Sequence, residues 1–210
     1  MTKKMTIAES ARRWLALNPR LSATHVGVAV AATAIVIGPF FNVADYSSLR
    51  HSTSELGAQG APGAWIMNAG FTAFGLGVLI DAVRAFRISP VPAGAFIVFG
   101  LAMIMNAVFS HRPIDPVAPY VVFEDDMHSF FSSVVGASFA IGVLAFGFAR
   151  RDLGPPAVHA VAVAAALILP LGMFLFAEIE GALQRAMFFV SFAWFAAYLP
   201  RLAMRRHLPG

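Results

Sequence analysis

The chain has 210 residues, of which 59% are hydrophobic and only 12% charged, with 20 Phe and no Cys. A soluble domain carries about a quarter charged residues, so this composition suits lipid as solvent. The missing Cys excludes disulfides, thiolate metal sites and a Cys nucleophile. The net charge of +4 invites a nucleic-acid reading, which the placement of the charges removes below.

The first residues, 1–24, read as a cytoplasmic segment, within which 8–17, carrying Arg12, Arg13 and Trp14, is expected to lie on the membrane surface as a short amphipathic helix. A signal peptide is not expected, because a long polar or mixed stretch precedes an apolar run long enough to span. A spanning helix needs about 20 mostly apolar residues, and six windows qualify: 25–44, 64–83, 91–109, 129–149, 158–177 and 182–199. Each is apolar all round rather than striped, the pattern of a lipid-facing helix. The fold expected is therefore all-α, a six-helix transmembrane bundle over 25–203 followed by a short tail, 204–210. Gly70, Gly75 and Gly77 in the second window, and Gly136 and Gly142 in the fourth, are expected to let helices approach closely. Pro170 is expected to kink the fifth.

Lys3, Lys4, Arg12, Arg13, Arg20, Arg84, Arg87, Arg150, Arg151, Arg201, Arg205 and Arg206 all fall on the side of the termini. Only Arg50, Arg112 and Arg185 fall on the other. Basic residues near span ends stay cytoplasmic, so both termini are expected inside, in a cytoplasmic (inner) membrane. The basic excess is then a topology signal and a contact with anionic lipid, and no nucleic-acid partner is expected.

The connections opposite the termini hold the chemistry. The first, 45–63, carries Arg50, His51, Ser52, Ser54 and Glu55; the second, 110–128, carries His111, Asp115, Glu124, Asp125, Asp126 and His128; the third supplies Glu178, Glu180, Gln184 and Arg185. Asn42, Asn68 and Asn106 fall at the same depth, and polar groups inside a bundle face its interior or a wet cavity. Together they suggest a polar cup. Ser52-Thr53-Ser54-Glu55 also matches a capping box, and the carboxylates at 124–126 suit the start of a helix.

Asp125 precedes His128 by one helical turn, so His128, Asp115 and Asp125 are candidate ligands for a divalent metal such as zinc, with His128 and Asp115 as catalytic groups. The H-E-x-x-H spacing is absent, and Pro113 and Pro116 make helix around His111 unfavourable. Ser52 or Ser54 with the adjacent His51 forms a weaker candidate pair, because sequence neighbours rarely have nucleophile–base geometry. His159 has no second His for haem, and no charge lies at mid-membrane to suggest a proton-driven transporter.

The run Asp45-Tyr46-Ser47-Ser48-Leu49-Arg50-His51-Ser52-Thr53-Ser54-Glu55-Leu56-Gly57, followed by Ala64-Trp65-Ile66-Met67-Asn68, resembles the prokaryotic membrane family known as domain of unknown function 998. Pro113-Ile114-Asp115-Pro116, Met127-His128-Ser129 and Gly181-Ala182-Leu183-Gln184-Arg185 continue the pattern, although the family often has Phe-Pro-x-Asp where this chain has His111-Arg112-Pro113-Ile114-Asp115. The resemblance implies a six-span bundle and one outer constellation of Ser52, Ser54, Glu55, Asn68, Asp115, His128, Gln184 and Arg185, and brings no activity with it.

The functional expectation is a lipid-binding protein or metal-assisted lipid hydrolase. In it Asn106 and the other polar groups line the cup, and Arg185 and Arg50 hold an anionic headgroup. The rival expectation is a non-catalytic accessory subunit beside partner membrane subunits, its outer residues forming a paired lid.

Overall fold

The computed structural model describes residues 21–204; the expected surface helix at 8–17 and most of the tail lie outside them. Seven α-helices are present among the described residues: α1 (Ala23–Ile37), α2 (Thr53–Leu56), α3 (Ala64–Ala85), α4 (Pro90–Val108), α5 (Val122–Ala149), α6 (Pro156–Leu175) and α7 (Glu180–Met204). All but the single-turn α2 are long and apolar enough to span a membrane, α1 with its 3-10 extension to Phe41 and α7 with the turn before it. The expected spans are all present. The fourth begins seven residues early, at Val122 rather than 129, because Glu124 and Asp125 belong to the first turn of α5, where carboxylates complement the exposed N–H groups. Helix α6 runs through Pro170 without a break in its assignment.

Neighbours in sequence pack side by side, α1 on α3, α3 on α4, α4 on α5, then α6 and α7, and α7 returns against α3 and α1 to close the bundle. Small residues set the closest crossings. A Cβ on Gly75 would stand 2.6 Å from the Gly100 carbonyl oxygen, and one on Gly100 would stand 2.7 Å from that of Gly75, so α3 and α4 touch backbone to backbone.

The centre is aromatic. Phe188, Phe192, Phe195, Leu199 and Leu202 recur at three- and four-residue intervals and form one buried stripe of α7. Phe195 meets Phe99 at 4.8 Å, Phe96 at 5.1 Å and Phe139 at 5.3 Å between ring centroids, and Phe192 meets Phe74 at 4.8 Å. One face of α7 thus binds α3, α4 and α5 together, which accounts for much of the Phe content.

At the terminal end, Ser22 and His25 cap α1, and the buried Asp81 of α3 accepts the Thr24 N–H at 2.9 Å while pairing with Arg84. His159 of α6 accepts from the Trp194 indole at 3.0 Å. The opposite end carries the loop 42–63 with α2, the loop 109–121 and the short link into α7. The loop 42–63 is hydrogen-bonded both to the loop 109–121 and its flanks and to the first turns of α7.

Candidate functional site

The capping box expected at Ser52 forms. Ser52 Oγ accepts the Glu55 N–H at 3.2 Å, and Glu55 Oε2 accepts the Ser52 N–H. That reciprocal pair makes one helical turn stable where four residues would not otherwise hold one. The turn is then met from three sides, by hydrogen bonds on two and by packing on the third. Gln184 Oε1 of α7 accepts both the backbone N–H and the hydroxyl of Thr53, the latter at 2.6 Å. Asn68 of α3 lies under Gly57, where a Cβ would fall 2.5 Å from its Oδ1. His128 of α5 takes the third side.

His128 is 3% exposed. Its Nδ1 lies 2.8 Å from the Phe109 carbonyl oxygen and its Nε2 lies 2.9 Å from Ser54 Oγ. A carbonyl only accepts, so Nδ1 carries the proton and donates; in the neutral ring Nε2 is then an acceptor, and the Ser54 hydroxyl donates to it. This is the arrangement of a hydroxyl nucleophile with an oriented base. Ser54 is half-buried, so the pair is not sealed into the core.

A second histidine stands beside the first. The rings of His111 and His128 are 5.4 Å apart. His111 Nδ1 approaches Asp125 Oδ1 to 2.7 Å, off the line of a straight hydrogen bond, and the same oxygen accepts the Arg112 N–H at 2.9 Å. Asp125 was expected beside His128 as a fellow metal ligand; the start of α5 turns it to His111 instead.

The expected metal set is corrected. His128 has both ring nitrogens engaged, Asp125 serves His111 and Arg112, and Asp115 accepts the Val117 N–H in a turn of its own loop. Among the described residues no three His, Asp or Glu side chains converge as ligands, so the donor set does not fit zinc. Asp115 likewise makes no hydrogen bond to His128.

The arginines are corrected too. Arg185 Nη1 donates to the carbonyls of Ser48 (2.7 Å), His51 (2.9 Å) and Gly181 (3.0 Å), and Nη2 donates to the Tyr46 hydroxyl. The N–H groups of Gly181 and Ala182 reach the carbonyls of Arg50 and Leu49. The start of α7 therefore holds the 48–51 turn through main-chain oxygens, and Nη1 of Arg185 is taken up inside the protein rather than turned to a headgroup. Arg50 is exposed and takes part through its carbonyl. Burial raises the Tyr46 hydroxyl above its ordinary pKa despite the adjacent guanidinium. His51, the neighbour considered as a base for Ser52 or Ser54, accepts the Ser47 N–H at 2.9 Å instead.

Gln59 ties the two long loops. Its Nε2 donates to the carbonyls of Ser110 and Val121, both at 3.1 Å, its Oε1 accepts the Val121 N–H at 2.8 Å, and its own N–H reaches the His111 carbonyl. Asn68 is half-buried and Asn106 is 5% exposed, and each has a buried amide oxygen with no hydrogen-bond partner. Two cavities open beside these groups, about 1010 and 290 Å³, and Glu55, Pro113, Ile114, Asp115, Pro116 and Tyr120 line both. His111 and Glu180 line the smaller.

The family model for proteins of unknown function DUF998 matches residues 25–199, which takes in every group of this site. The chain belongs to the DUF998 family. No curated protein and no solved structure matches it. In this DUF998 chain, Tyr46, Thr53, Gln59 and the Phe109 carbonyl complete a site whose other members were visible as residue types. Tyr46 falls within the quoted family run, whereas a main-chain carbonyl leaves no trace in sequence.

Proposed function

We propose that this DUF998 protein is a membrane-embedded hydrolase that cleaves an acyl bond of a membrane-resident substrate, with Ser54 as nucleophile and His128 as general base. The observation that carries the reading is the 2.9 Å contact from Ser54 Oγ to His128 Nε2, with Nδ1 held by the Phe109 carbonyl. The Ser54 hydroxyl gives its proton to Nε2 as Oγ attacks the acyl carbon, and the imidazolium returns that proton to the departing alcohol as the acyl bond breaks. Water then loses a proton to Nε2, attacks the acyl-Ser54 carbonyl and releases the acid, restoring the hydroxyl. No metal is needed for these steps.

The excess of basic residues on the side of the termini supports placing the site at the outer face of a cytoplasmic membrane, with both termini inside. Membrane lipids are then the nearest substrates.

The test is turnover of a long-chain ester by the protein in nanodiscs. Ser54→Ala and His128→Gln are each expected to lower kcat about a thousandfold or more, as for a nucleophile and its base acting as one unit. Turnover that survives Ser54→Ala contradicts the reading. A second reading, a non-catalytic subunit within a larger membrane complex, draws on the way Arg185 and Gln59 fasten the loops into a lid. It predicts that both variants leave complex assembly and every activity of that complex unchanged.

A further inference from the structure

The two cavities differ in kind. The larger adds to the shared wall six apolar residues, Val43, Ala58, Ala61, Ala118, Pro119 and Val121, together with Gly60 and the polar Asn42, Asp45 and Gln59, so its added wall is apolar for the most part. The smaller adds only His111, Arg112 and Glu180, all polar. An apolar chamber and a charged chamber that share one wall fit a molecule with an apolar part and a compact polar part.

Exposed apolar residues stand at and near the larger chamber. Val43 and Val121 line it and are 40% and 53% exposed, and close along the chain stand Phe41 at 57%, Phe123 at 61% and Val117 at 85%. Exposed apolar groups crowded round a cavity mark contact with lipid or an apolar ligand.

Charge then selects the head. Glu55, Asp115 and Glu180 line the smaller chamber against one guanidinium, Arg112, and Asp45 adds a carboxylate in the larger. One oxygen of Glu55 holds the Ser52 N–H and one of Asp115 holds the Val117 N–H, which leaves each a second oxygen. His111 is already paired with Asp125. An anionic headgroup would meet net repulsion here, whereas an ammonium group would meet carboxylates and the ring of Tyr120, which lines both chambers.

We propose that these joined cavities bind an amphiphile with a compact head bearing an ammonium group, its hydrocarbon in the larger chamber and its head in the smaller. This deepens the hydrolase reading and rests on it for the claim that the amphiphile is the substrate; Glu55, next to Ser54 in sequence, and His111, whose ring lies 5.4 Å from that of His128, line the smaller chamber and set it beside the dyad.

The experiment uses the full chain carrying Ser54→Ala in nanodiscs, so that binding is read without turnover. A fluorescent alkyltrimethylammonium and an alkyl sulfate of equal chain length are titrated in parallel. The ammonium probe is expected to bind about tenfold more tightly or better, a difference of about 1.4 kcal/mol. Glu180→Gln with Asp115→Asn is expected to remove that preference, while Ala118→Trp, or separately Ala61→Trp, weakens both probes by filling the apolar chamber. Equal binding of the two probes overturns the proposal, and so does unchanged binding in both tryptophan variants. If the preference holds but no ester is cleaved by the unmodified chain, the binding site stands and the hydrolase reading fails.

Discussion

The Tyr46 hydroxyl accepts a hydrogen bond from Arg185 Nη2 and donates its own proton to the Ser52 carbonyl at 2.8 Å. The chain from α7 through Tyr46 to Ser52 ends at the N-cap of the turn that carries Ser54, so a residue in the last span sets the position of the proposed nucleophile in the first loop. Arg185 acts here on partial charges of main-chain oxygens, which a planar guanidinium with several donors satisfies together and an ammonium does not.

Arg185→Ala is therefore expected to lower thermal stability by about 2–3 kcal/mol, the scale for removing a charged donor from several carbonyls. Arg185→Lys should recover less than half of that. Thermal unfolding in detergent reads both, and a Lys variant indistinguishable from the parent would contradict the clamp.

Gln59→Ala removes three side-chain hydrogen bonds and leaves the Val121 N–H without its acceptor. The expected result is faster amide hydrogen exchange in 109–121 with the spans unaffected, because the lost bonds join loops, at a local cost of about 1–3 kcal/mol. Exchange measured by mass spectrometry should show protection falling at Val121 first.

Gly75→Val places branched carbons where the Gly100 carbonyl already lies 2.6 Å from an added Cβ. The α3–α4 crossing must open, and stability is expected to fall by about 3 kcal/mol or more, at the severe end for a single substitution. Gly136→Ala, where an added Cβ meets nothing within 4 Å, is the matched control and should be near neutral.

Asp81→Asn keeps an acceptor for the Thr24 N–H and loses the charge facing Arg84. A loss of about 1 kcal/mol or less is expected, while Asp81→Leu, which leaves that N–H without its side-chain acceptor, should cost about 1–3 kcal/mol. Equal losses in the two variants would show that the cap contributes nothing.

The spans were legible because lipid imposes length and composition on every one of them, and the charge pattern separated their two ends. The start of α5 was not, since a hydropathy window rejects Glu124–Asp126 even though helix starts favour acids. Ser52 and Glu55 were legible as a box because both partners lie within four residues. Ser54 and His128 lie 74 residues apart, and nothing in spacing joins them; the sequence neighbour His51 drew attention instead and is occupied by Ser47. Arg185 read as a headgroup ligand because three of its four partners are carbonyls, which every residue has and no residue type advertises.

The central claim is that Ser54 is a nucleophile activated by His128. It is tested most directly by treating the membrane-reconstituted protein with a fluorophosphonate and mapping the adduct by mass spectrometry. One adduct is expected, on Ser54, forming about a hundredfold or more slowly in His128→Gln, the scale for loss of a general base, and at the parental rate in Ser133→Ala, a hydroxyl bonded only to the Ser129 carbonyl of its own helix. No adduct on Ser54, or labelling of Ser54 at full rate without His128, would contradict it.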